Sequence, residues 1–61
     1  MNAFEAGDLV KFAKPMDDFE RKVVMEVVWC DRERTMVRVH IEGWEFQPTT
    51  IYQTADLTKA E

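Results

Sequence analysis

The segment Met36 to Ile41 constrains the fold more than any other: Val37, Val39 and Ile41 alternate with Arg38 and His40. A side-chain period of two is the mark of a strand with one buried face. The preceding run from Arg21 to Cys30 has the β-branched density of a second strand, and its polar members Lys22 and Glu26 share one parity. That parity sends Val23, Met25, Val27 and Trp29 to the core and leaves Val24, Val28 and Cys30 outward. With the polar turn Asp31 to Thr35 between them, the two runs are expected to pair as a hairpin.

The rest of the chain is cut into short pieces by Gly and Pro. Gly7-Asp8 opens a strand at Leu9 to Phe12, and Pro15 stops it because proline donates nothing to a ladder. Met16 to Glu20 reads as a long polar loop with Phe19 tucked inward and room for one helical turn at most. Gly43 ends the alternating segment, Trp44 to Gln47 alternates again as a short fourth strand, and Pro48 stops that one. Thr49 to Ile51 reads as a tight helical-like turn, and Tyr52 to Leu57 as a short closing strand. Residues 1–61 make one domain, with 1–6 and 58–61 expected to fray.

A chain of 61 residues buries only about 60% of the surface that its unfolded form exposes, so its stability is marginal without a staple. One Cys closes no internal disulfide, and one His with one Cys falls short of a tetrahedral zinc set. No metal and no cofactor is expected, and the lone thiol fits a reducing cytoplasm. The remaining staple is association with another copy. A net charge of -4, from eight basic and twelve acidic residues, argues against a surface built throughout to grip phosphate. No apolar run approaches the ~20 residues of a membrane span, and the first residues lack the pattern of a signal peptide.

Three stretches carry a resemblance: Gly7-Asp8-Leu9-Val10, Val27-Val28-Trp29-Cys30-Asp31 and Ile51-Tyr52-Gln53-Thr54-Ala55-Asp56-Leu57. They are similar to the corresponding pieces of SH3-like, KOW-like and Tudor-like domains. The resemblance implies an all-β fold, a single five-stranded SH3-like barrel with a long first loop and a short helical turn before the last strand. A second resemblance, at Gly7-Asp8, Trp29-Cys30 and Ile51-Tyr52, is to the plasmid-borne type II dihydrofolate reductases, SH3-like barrels whose four protomers share one pore for folate and NADPH. The chain departs from that family where the chemistry sits. Thr50 stands at the position of its ligand-contacting glutamine, and Phe12 at that of its pore lysine, so the paired amide donor and acceptor and the fixed charge are missing. By analogy with these families, a chain starting at Met1 reads as a small gene product of a bacterial or mobile-element genome.

Each candidate site has a plain alternative. Asp17, Asp18 and Glu20 form a carboxylate cluster, yet a loop of this composition is ordinarily solvated. His40 shares an outward face with Arg38 and has no nucleophile or acid in view, so no catalytic residue is assigned. Arg32, Arg34 and their neighbours, interleaved with Trp29, Trp44 and Tyr52, make the best argument for nucleic acid, but Asp31, Glu33 and Glu45 interrupt the same segments. An aromatic cage from Trp29, Trp44, Phe46 and Tyr52 would attract a methylated lysine, whereas parity favours core packing.

The most informative feature is a set of apolar residues at outward positions: Leu9, Val24, Val28, Cys30 and Met36. A half-wet sheet should be polar there, so these read as an interface. The sequence therefore suggests a small non-catalytic binding or assembly module that self-associates or binds another protein. Trp44, Phe46, Tyr52, Arg32 and Arg34 form its candidate binding rim. A nucleic-acid accessory protein and a reductase-like enzyme are the alternatives, and a small-molecule ligand is not expected.

Overall fold

The computed structural model describes residues 3–60. Five strands form one antiparallel sheet in the order β4-β3-β2-β1-β5, with β1 Leu9–Phe12, β2 Val24–Cys30, β3 Arg34–His40, β4 Thr49–Gln53 and β5 Leu57–Lys59. A short helix, α1, covers Asp18–Lys22 in the long first loop, and a 3-10 turn at Thr54–Asp56 leads into β5. The all-β class, the five strands and the short turn before the last of them are as the sequence indicates.

The expected closed barrel is corrected: the sheet is open, with β4 and β5 at its two edges. β5 has only three residues and spends its ladder on β1, while β4 pairs with β3 alone. The β4 edge approaches β1 through side chains instead. Phe12 on β1 meets Tyr52 on β4 edge to face, with ring centroids 5.0 Å apart.

Alternation on β1 to β3 gives one apolar interior. Val10, Met25 and Val37 are fully buried, Val27 nearly so, and Phe4, Val23, Val39 and Leu57 complete the core. At one end Thr35 and Thr54 are buried as well, their hydroxyls 2.8 Å apart. Thr54 also reaches the Asp31 carbonyl at 3.0 Å and Thr35 the Cys30 sulfur at 3.2 Å, so both hydroxyls sit in one small polar cluster.

Several strand assignments shift. Trp44 to Gln47 is not a strand; Gly43, at φ +86°, turns the chain, and the Trp44 N–H bonds the Ile41 carbonyl at 3.1 Å. The fourth strand lies after Pro48, whose carbonyl accepts the Val39 N–H at 2.8 Å, and the helical turn falls at Thr54–Asp56 rather than at 49–51. Arg21 and Lys22 belong to α1, where Asp17 caps the first turn by accepting the Glu20 N–H at 2.8 Å. Phe19 stays 53% exposed instead of turning inward. Phe4 is buried and Thr58 and Lys59 sit in β5, within segments expected to fray; residues 1, 2 and 61 lie outside the described residues.

Trp29 is the largest correction. The β2–β3 register runs through Val27↔Val37 and resumes at Trp29↔Met36, so Val28 is an extra residue with no counterpart. A bulge of this kind shifts parity by one, sending Trp29 to the outer face and Cys30 inward opposite the buried Thr35.

Candidate assembly surface

Residues opposite one another in a ladder share a face of the sheet. The register therefore places Trp29, Met36 and Ile51 in one row across β2, β3 and β4, on the side away from the core. Trp29 is 39% exposed and Ile51 46%, with Met36 half-buried between them. Leu9 on β1 and Val24 on β2 lie on the same face, 49% and 39% exposed. Between them Glu26 takes Arg38 at 3.4 Å and His40 at 3.6 Å. The face is thus an apolar row bordered by the Glu26 cluster, by Lys11 and Arg34, and by the polar Thr49, Gln53 and Thr58.

Of the interface residues expected from the sequence, Leu9, Val24 and Met36 are on this face. Val28 is half-buried in the bulge, and Cys30 packs against the core. Its sulfur lies 3.2 Å from the Thr35 hydroxyl and 3.3 Å from the Asp31 carbonyl. Trp29 and Ile51 were not anticipated there. No polar residue interrupts Val27 to Cys30 to reveal the parity change, but the β-branched density of Thr49-Thr50-Ile51 was a strand signal in plain view.

The candidate rim separates into three places. Trp44 and Phe46 touch at 5.3 Å on the loop after β3, both more than half exposed. Arg32 and Arg34 lie at the opposite end of β3, in and beside the β2–β3 turn. Tyr52 faces inward against Phe12, beside an open cleft of about 480 Å3 that also meets Lys14, Met16, Glu20 and Asp56.

The turn itself is held by Asp31. One carboxylate oxygen accepts the Arg34 N–H at 2.7 Å and the Glu33 N–H at 2.9 Å, and these bonds hold the carboxyl below its usual 3.8. The acidic cluster in the first loop is likewise spent locally: Asp17 caps α1, Glu20 accepts the Met16 N–H at 3.0 Å, and Asp18 pairs with Arg21. No group of three or more His, Cys, Asp or Glu among the described residues is placed to hold a metal ion. No helix among them is long and apolar enough to cross a membrane.

The arrangement defines a small all-β domain with an apolar sheet face. Compared with known proteins, the chain matches no family model, no curated sequence and no solved structure.

Proposed function

We propose that the chain is a small non-catalytic assembly module of the SH3-like kind that binds a second copy of itself through the outer face of its sheet. The SH3-like part of the reading is supported by the strand order and by the 3-10 turn before the last strand. The observation that carries the function is the exposed row Trp29–Met36–Ile51, flanked by Leu9 and Val24.

The 26 strand residues, at about 3.3 Å rise and 4.8 Å strand spacing, give a face of about 410 Å2, so a symmetric pair covers about 820 Å2, the size of a weak, concentration-dependent contact. If about 300 Å2 of that is apolar per chain, burial contributes about 7 kcal/mol before association costs, as much as the whole stability of a small domain. The charged side chains here are Lys11, Glu26, Arg34 and Arg38, so the acidic surplus of the chain lies off this face. With three cations to one carboxylate the face is net positive, so pairing of two copies is expected to strengthen as salt rises.

Light scattering across a concentration series tests the reading. The wild type should exceed the monomer mass, and Met36→Glu, which sets a carboxylate in the middle of the row, should lower it. A wild type that stays monomeric at every concentration would sink the proposal.

A further inference from the structure

The two edges of the sheet are not alike. β5 is three residues long and carries Lys59, the ordinary devices that keep an edge from pairing. β4, Thr49-Thr50-Ile51-Tyr52-Gln53, has five residues with no charge, no Gly and no Pro. Its ladder to β3 fixes which of its backbone groups are free. The bonds Val39 N–H to Pro48 carbonyl and Thr54 N–H to Glu33 carbonyl, with the register Val37↔Thr50 and Thr35↔Tyr52, direct residues 48, 50, 52 and 54 toward β3. Thr49, Ile51 and Gln53 consequently point their N–H and C=O groups away from the sheet, and all three are exposed.

We propose that this edge pairs with the same edge of a second copy, antiparallel about a two-fold axis through Ile51. In that register Ile51 meets Ile51 of the other copy, and Thr49 meets Gln53. All three outward N–H groups of each copy then find carbonyls, six bonds over the two chains. A two-fold axis normal to the sheet keeps the outer face on one side. The row Trp29–Met36–Ile51 therefore continues into Ile51–Met36–Trp29 of the second copy, doubling the apolar stripe. Arg34 and Arg38 end up in line with Gln53 and Thr49, so the arginines of the two copies are separated by two strands, about 14 Å, beyond the reach of strong repulsion in salt. No side chain in the pairing register opposes a like charge.

The inference rests on the self-association proposed above but uses a different contact, and Gln53→Pro separates the two. The Gln53 backbone is at φ -69°, which proline adopts without strain, and its N–H is not used by β3. The substitution should halve the associated mass, while the Val37 and Val39 amides stay protected from exchange because the β3–β4 ladder is intact. In the wild type the Ile51 amide, which faces away from β3, should exchange more slowly as concentration rises, and this slowing should vanish in Gln53→Pro.

If Gln53→Pro keeps the wild-type mass and Met36→Glu does not, edge pairing is overturned and the face contact stands. A monomeric wild type overturns both. A monomer whose Ile51 amide is protected only after a short synthetic β-branched peptide is added assigns the edge to a foreign strand, and overturns pairing with a second copy.

Discussion

Thr54 bridges two groups at one end of the sheet: its hydroxyl donates to the Asp31 carbonyl and lies 2.8 Å from that of Thr35, both of which the Cys30 sulfur also reaches. A lost hydrogen bond whose partners keep other contacts costs ~1 kcal/mol, so Thr54→Val should destabilise by about that much in urea unfolding. Thr35→Val with Thr54→Val should cost less than the sum of the two single changes, because each removes the same contact between the two hydroxyls. Asp31 acts at the same end of the sheet through its carboxylate. Its folded value lies below 3.8, so its contribution is complete above that pH and is lost as pH falls through the lower folded value. Thermal midpoints measured from about pH 5 to about pH 2 should therefore fall more steeply for the wild type than for Asp31→Asn, which keeps the acceptor but not the titration.

At the scale of elements, the loop between β3 and β4 turns on Gly43. A Cβ there meets no atom within 4 Å, so Gly43→Ala adds no clash and only the backbone conformation resists it. A cost of about 1 kcal/mol in thermal or urea unfolding is expected. The hairpin of β2 and β3 was legible because Arg38 and His40 punctuate the apolar residues and fix the faces, and β1 because Gly7 and Pro15 frame it. Less legible were the elements without such punctuation. Val27 to Cys30 contains no polar residue, so the parity change at Val28 left no trace, and Trp29 was assigned to the wrong face. The open sheet depends on the length of β5 and on ladder geometry, neither of which composition records. Outer-face residues Leu9, Val24 and Met36 could be read from alternation, whereas Ile51 was hidden by taking Pro48 as the start of a turn.

For the whole molecule, eight buried apolar residues among the described residues form the core of a chain of 61, and little margin is available for losses. Met25 is fully buried, so Met25→Ala should cost ~2–5 kcal/mol, enough to unfold much of an isolated protomer at 25 °C. Association with a second copy would offset such losses by mass action, so the thermal midpoint of the wild type should rise with protein concentration, and that of Met36→Glu should rise less.

Val28, the residue without a counterpart, gives β2 one position more than its neighbour. Its absence would leave Trp29 outward and Cys30 inward, since the pairs on either side already follow one another in register. What would change is curvature: extra twist at the bulge helps to carry β4 toward Phe12, and a flatter sheet would draw the two rings apart. The shape of this sheet is therefore tuned by a count of residues rather than by their chemistry. A single-codon deletion at that point would act as a geometric adjustment, visible as a loss of the Tyr52 signal in near-ultraviolet circular dichroism while the composition of both faces stays the same.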